Sequence, residues 1–149
     1  QEMFYNCTSL LTAPSLPATT STKLCYYAMF KGCTSLTSVP STLPATRLAE
    51  SCYHEMFSNC TSLTTVPSDL LPATSLAEDC YTLMFSYCNS LTTAPSLPAT
   101  TLADYCYYGL FYGCTSLTTV PFTLPATRLA EGCYADMFAS CTSLTIAPH

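Results

Sequence analysis

Charged residues are scarce in this chain of 149 residues, where Asp, Glu, Lys and Arg together make up 9%. Only four of them are basic, and Lys23, Lys31, Arg47 and Arg128 are scattered along the sequence. A nucleic-acid interface needs clustered Lys and Arg side chains to meet the phosphates. The nine acidic residues also give a formal net charge of −5, so the composition excludes nucleic acid as a partner.

Glycine is also scarce, with four residues, and tryptophan is missing altogether. The sequence contains no glycine-rich phosphate loop, no G-x-S-x-G motif and no C-x-x-C or H-x-x-x-H spacing, which are short patterns of nucleotide, hydrolase and zinc sites. It lacks the roughly 18 consecutive apolar residues of a membrane span. We therefore expect no catalytic residue, no metal ligand, no cofactor, no enzymatic activity and no membrane-spanning segment.

Hydrophobic residues and cysteines are abundant, at 49% of the chain and eleven residues respectively. This supplies ample material for a packed core. Most of the remaining polarity comes from Ser and Thr hydroxyls rather than from charges. A hydroxyl-rich, cysteine-rich composition is typical of extracellular proteins, so we expect an extracellular or cell-surface location.

The chain repeats one unit from end to end. The motif Cys-Thr-Ser-Leu, once Cys-Asn-Ser-Leu, recurs in steps of 26 to 28 residues and begins at Cys7, Cys33, Cys60, Cys88, Cys114 and Cys141. We divide the chain into a single array with a partial repeat 1–7, full repeats 8–33, 34–60, 61–88, 89–114 and 115–141, and a partial repeat 142–149. Because both ends fall in mid-repeat without the polar caps of a solenoid, we expect a fragment of a longer chain.

Each repeat predicts a short strand followed by a short helix. Residues 62–66 are rich in β-branched side chains and are followed by Pro67, which is typical of a strand end. On helical steps of about 100°, the segment 48–60 places its apolar residues on one face. A strand and a helix in every repeat predict an α/β solenoid.

In a solenoid of this kind, equivalent residues of successive repeats lie above one another. We expect three columns, which are Leu10/Leu36/Leu63/Leu91/Leu117/Leu144, Phe4/Phe30/Phe57/Phe85/Phe111/Phe138 and Tyr26/Tyr53/Tyr81/Tyr107/Tyr134. Phe57 should therefore contact Phe85. The tyrosine hydroxyls should reach water or a backbone partner.

The segment 56–67, Met-Phe-Ser-Asn-Cys-Thr-Ser-Leu-Thr-Thr-Val-Pro, resembles the A-F-x-x-C-x-S-L-x-x-I pattern of BspA-like bacterial leucine-rich repeats, with Met in the Ala position. The resemblance extends over all 149 residues. It departs from the family in a slightly longer unit and in Cys52-Tyr53, where the family has Ile-Gly. The resemblance implies a right-handed leucine-rich-repeat coil on a bacterial surface, used for adhesion or protein binding and without catalysis. The alternative is a structural subunit of an extracellular fibre, assembled by end-to-end stacking of coils.

The cysteines form two columns, one eight positions before the other. The pairs within a repeat are Cys25 with Cys33, Cys52 with Cys60, Cys80 with Cys88, Cys106 with Cys114 and Cys133 with Cys141. Disulfides within these pairs are one hypothesis, but eight helical residues cover about 12 Å and bridged Cα atoms lie about 4.4–6.8 Å apart. A continuous helix and these disulfides therefore exclude each other. Buried thiols and pairing across coils, such as Cys33 with Cys52, remain open.

A row of threonines is the candidate binding surface. Thr37, Thr64, Thr92 and Thr118 occupy equivalent strand positions just after the repeated Leu, and one face of a strand presents every second residue. Such a row is suited to bind a protein strand or a glycan. The alternative is a solvated face of good strand formers. The expected partners are thus a protein or glycan at a surface, or further copies of this chain.

Overall fold

The computed structural model describes residues 1–121 and 123–148. In these ranges the chain winds into successive coils that lie side by side in parallel. Isolated parallel β-bridges join Thr12 to Ser38, Thr20 to Arg47, Ser75 to Thr101 and Thr93 to Thr119. Each pair is separated by one repeat, so equivalent positions of neighbouring coils are adjacent. The chain is a repeat solenoid, as its periodicity predicts.

The predicted α/β character of the coil is wrong for the described part of the chain. Residues 1–121 and 123–148 contain no helix, and the predicted strand reduces to the single-residue bridges. The segment 48–60 forms overlapping β-turns instead of a helix. In it, the amides of Met56 and Cys60 donate to the carbonyls of Tyr53 and Phe57, three residues earlier, at 3.2 and 3.1 Å. An α-helix would direct them to the residue four earlier.

These turn segments, which we call the turn ribbons, comprise residues 24–33, 51–60, 79–88, 105–114 and 132–141. Alternate amides of a ribbon donate within it, and in the first four ribbons the amides between them donate to the next coil. Tyr53, for example, donates to the carbonyl of Cys80 at 3.0 Å, and Phe57 to that of Met84 at 2.9 Å. The ribbons therefore satisfy the buried backbone without a helix or a sheet.

Every fourth residue of a ribbon has a positive φ. These residues are Leu24, Ala28, Gly32, Ser51, Glu55, Asn59, Asp79, Leu83, Tyr87, Tyr105, Gly109, Gly113, Gly132, Asp136 and Ser140. A positive φ is required at the third residue of a type II turn, and it costs a residue other than glycine about 1–2 kcal/mol. In the first four ribbons, hydrogen bonds from the amides of these residues to the next coil hold them in place. As a result the ribbon has a period of four residues rather than the roughly 3.6 of a helix.

With this period, two adjacent side chains point inward and the next two point outward. In the ribbon 51–60 the inward pairs are Cys52 with Tyr53 and Met56 with Phe57, and all four are at most 1% exposed. His54 and Glu55 lie between the pairs and are partly exposed. The core is therefore a set of columns that run through the coils.

The columns form as the repeat predicts. Leu36, Leu63, Leu91 and Leu117 are fully buried above one another. The phenylalanine rings stack nearly parallel along their column, and the centroids of Phe57 and Phe85 are 5.7 Å apart with an interplanar angle of 11°. The predicted contact between them is confirmed.

The tyrosine rings also stack, with 5.7 Å between the centroids of Tyr53 and Tyr81. The expectation for their hydroxyls is wrong at two positions. The Oη atoms of Tyr81 and Tyr107 are buried and have no hydrogen-bond partner among the residues that the structure describes. Burial raises the pKa of both groups well above the ordinary value for tyrosine. These two rings lie so deep in the core that their hydroxyls do not reach solvent, as those of most packed tyrosines do.

Candidate binding surfaces

The eleven cysteines are free thiols in the structure. In the column that ends each ribbon, every buried thiol points at a backbone carbonyl of the preceding coil. Cys60 Sγ donates to the Phe30 carbonyl at 3.3 Å, and Cys88 Sγ donates to the Phe57 carbonyl at 3.1 Å. The same bond recurs in the other coils, made by Cys33, Cys114 and Cys141. The thiols thus act as packed, weakly bonded core groups.

Burial also changes the acidity of the thiols. It raises the pKa of Cys52 and of Cys106 to about 11 and that of Cys114 to about 12. Such thiols stay protonated near neutral pH and are poor nucleophiles and metal ligands. Neighbouring thiols of the same column contribute further to this shift, as Cys33 does for Cys60. The structure therefore places like cysteines of successive coils beside each other, and the disulfides within a repeat stay a prediction.

The predicted threonine row is exposed on all four coils. Three of its hydroxyls donate to a backbone carbonyl of the preceding coil. The Thr37 hydroxyl donates to the Leu11 carbonyl at 3.2 Å. The Thr92 hydroxyl donates to the Thr64 carbonyl at 3.1 Å, and the Thr118 hydroxyl to the Thr92 carbonyl at 3.2 Å. These bonds use the hydroxyl protons and fix the orientation of the side chains. The row consequently offers hydrogen-bond acceptors to a partner.

A second surface, which the sequence reasoning missed, lies on the outward side of the turn ribbons. Its tyrosines are concentrated in two neighbouring ribbons, with Tyr87 47% and Tyr105 36% exposed. The Tyr87 ring lies over Gly113 of the next coil, where a Cβ atom would be 2.8 Å from the ring. Tyr105 lies over Gly132 in the same way. Glycine in one coil thus makes room for a large ring of the coil before it.

A groove crosses this outward surface. One outward position carries Lys31, Ser58, Ser86 and Tyr112 in successive coils. The two serines are small, so a depression of about 390 Å³ opens between the two large side chains. Glu55 and Tyr87 flank it. We call this depression the serine groove.

Most polar groups around the serine groove are already oriented by a neighbour. Lys31 Nζ lies 2.7 Å from Glu55 Oε1, and both side chains are more than two-thirds buried. Ser86 Oγ donates to Ser58 Oγ at 2.8 Å. Hydrogen bonding to the Asp136 carboxylate raises the pKa of Tyr108. The groove therefore presents a fixed set of donors and acceptors beside aromatic rings.

Groups of the kind that hold a metal ion are not found in the described ranges, where no three His, Cys, Asp or Glu side chains come together suitably. The same ranges contain no helix that is long and apolar enough to cross a membrane.

Comparison with known protein families finds a match over most of the chain. Residues 1–145 match six copies of the BspA type leucine rich repeat region. Comparison with curated proteins and with solved structures gives no significant match. The family resemblance of the repeated motif is thereby confirmed.

Proposed function

Because the chain belongs to the BspA-type leucine-rich repeat family, we propose that it is a non-enzymatic scaffold that binds a protein at a bacterial cell surface. Repeat solenoids present extended surfaces on which one residue recurs at each coil. The observation that supports the proposal most directly is the exposed threonine row, in which three hydroxyls are oriented by the preceding coil.

The row is suited to a partner that supplies donors. The hydroxyl protons of Thr37, Thr92 and Thr118 are engaged with backbone carbonyls, so the remaining lone pairs accept. The backbone amides of an extended segment in a partner protein supply donors at regular spacing. Because the threonines are held in place before binding, little side-chain entropy is lost on association.

The test is a pull-down with a panel of purified extracellular host proteins, followed by a binding isotherm for each protein retained. Changing Thr64, Thr92 and Thr118 together to Lys places three long, charged donors on the row. We expect saturable binding by the unchanged chain and loss of that binding in the triple variant.

A matched control adds the same charge elsewhere. Ser41, Ser68 and Ser96 are exposed residues of three consecutive repeats, and their triple Lys variant should bind as the unchanged chain does. Equal binding by both triple variants would show that the threonine row is not the binding surface. The absence of any saturable protein partner would contradict the proposed function itself.

The fibre alternative is supported by one feature, the direction of the bonds between coils. Ribbon amides of each coil donate to carbonyls of the next coil, as from Phe30 to Met56 and from Phe57 to Met84. The ribbon of a coil thus offers amide donors towards the next coil and carbonyl acceptors towards the preceding one, which is the complementarity that head-to-tail stacking needs. Sedimentation velocity distinguishes the two functions, because a fibre subunit grows in length with concentration and a monomeric binding scaffold does not.

A further inference from the structure

The serine groove has the size and the mixed lining of a small-molecule site. Its volume of about 390 Å³ falls within the roughly 300–1,000 Å³ typical of ligand pockets. It exists because the repeat is broken at one outward position, where the bulky Lys31 and Tyr112 are separated by Ser58 and Ser86. It shares no residue with the threonine row.

The floor of the groove carries a buried hydroxyl pair with a donor to spare. Ser58 and Ser86 are 3% and 2% exposed, and their oxygens are 2.8 Å apart. One of the two hydroxyl protons is used in that bond. The other, on Ser58, is not used in that bond. A hydroxyl proton at the floor of a groove can be accepted by an oxygen atom that enters the groove, so the floor suits a ligand with an oxygen acceptor.

The aromatic part of the groove offers apolar surface next to these polar groups. The rings of Tyr87 and Tyr112 meet edge to face, with centroids 5.4 Å apart and an interplanar angle of 76°. They therefore form a corner rather than a flat stack. Tyr87 is also held from below by Gly113, so the corner is preformed.

The polar ends of the groove decide what kind of ligand fits. A quaternary ammonium would suit the aromatic corner, but it carries no acceptor for the serine donor. A free anion would meet the Glu55 carboxylate, which lies 2.7 Å from Lys31 Nζ. A neutral sugar combines a C–H face for the aromatic rings with hydroxyls that both donate and accept.

We propose that the serine groove binds a saccharide, with a sugar ring against Tyr87 and Tyr112 and its hydroxyls bonded to the Ser58–Ser86 pair, Glu55 and Lys31. Glu55 accepts from the sugar, whereas Lys31 and the serine pair donate to it. This inference goes beyond the proposed function, because it concerns a different surface and a different class of ligand.

The test is a microarray of neutral and sialylated oligosaccharides probed with the full chain, followed by titration calorimetry with each oligosaccharide that gives a signal. Ser86→Tyr fills the groove with the residue that the next repeat, at Tyr112, carries at the same outward position. Tyr87→Ala removes one side of the aromatic corner. We expect either change to weaken saccharide binding at least about tenfold.

Tyr105→Ala is the matched control, because Tyr105 is an outward tyrosine over a glycine and does not line the groove. It should bind oligosaccharides as the unchanged chain does. A thermal melt verifies that each variant is folded, and Lys31→Gln replaces Ser86→Tyr if that variant melts early.

The proposal is overturned if no oligosaccharide binds, or if both groove variants bind as tightly as the control. It is also overturned if choline displaces the bound oligosaccharide, which would show that the aromatic corner selects a cation. The threonine-row variants separate the two proposals, since they should lose protein binding and retain saccharide binding.

Discussion

The inward and outward positions of the turn ribbons differ in how closely their residue types repeat from coil to coil. Inward positions carry nearly the same residue in each coil, as the cysteine, tyrosine and phenylalanine columns show. Outward positions vary, so that a single column runs from Lys31 through two serines to Tyr112. Identical inward residues let rings and thiols stack at constant spacing. Variation on the outward side creates local shape and chemistry without disturbing that stack.

The largest expected effect is a loss of stability at alkaline pH, which acts on the inward side. Burial raises the pKa of Cys60 and Cys88, so the unfolded chain releases their protons first once pH exceeds about 8.5. The free energy of unfolding should then fall by up to about 1.4 kcal/mol per pH unit for each such thiol. Urea midpoints under reducing conditions, measured from neutral pH upward, follow this loss.

Cys88→Ala sharpens the measurement, because it removes one buried thiol that packs among uncharged neighbours. The free energy of unfolding of this variant should fall less steeply with pH, by up to about 1.4 kcal/mol per pH unit, because one titrating thiol is missing. A urea midpoint that stays constant up to about pH 10.5 would contradict the burial of the thiol columns.

A truncation in the phenylalanine column should have the next largest effect. Phe57 is fully buried between Phe30 and Phe85, so Phe57→Ala should lower the free energy of unfolding by about 3–5 kcal/mol. Tyr5 is 47% exposed, and Tyr5→Ala should change it by no more than about 0.5 kcal/mol. Urea denaturation compares the two. Similar losses in both variants would remove the distinction between inward and outward positions.

The inward columns could be predicted from the sequence, because a repeat of fixed length forces equivalent residues together whatever the local backbone does. The local backbone could not be predicted on the same ground. Cys52, Met56 and Cys60 are spaced by four, and on a helix of about 3.6 residues per turn they drift only slowly around the axis. The pattern therefore fits a helix almost as well as a ribbon. The distinguishing signal is the residue at each fourth position, where Gly32, Asn59 and Gly113 tolerate a positive φ.

The serine groove could not be predicted from the repeated pattern. It arises where the repeat is not kept, and a search for periodicity passes over such positions. The change from Ser86 to Tyr112 in one column is visible in the sequence. Its meaning depends on comparing this outward column from repeat to repeat, which a search for recurring residues leaves out.

A pair of glycine substitutions tests the backbone of one outward column. Gly113 and Ser140 are equivalent residues, with φ of 71° and 61°. Gly113→Ala should cost about 1–2 kcal/mol, because alanine is strained at this φ and its Cβ would displace the Tyr87 ring. Ser140→Gly removes the same kind of strain and should stabilise the chain by about 0.5 kcal/mol. Thermal melts measure both, and a loss of stability in Ser140→Gly would argue against the positive φ.

Tyr81→Phe has a small expected effect and an unusual sign. Removing a hydrogen-bonded hydroxyl from a core normally destabilises a protein. The Tyr81 hydroxyl is buried without a hydrogen-bond partner among the described residues, so its removal relieves a desolvation cost while the ring stack remains. We expect the free energy of unfolding to rise by about 1 kcal/mol. Tyr134→Phe is the control. The Tyr134 side chain is partly exposed, so this change should leave the free energy of unfolding unchanged. A loss of stability in Tyr81→Phe alone would mean that this hydroxyl is hydrogen-bonded inside the solenoid, contrary to its burial without a partner.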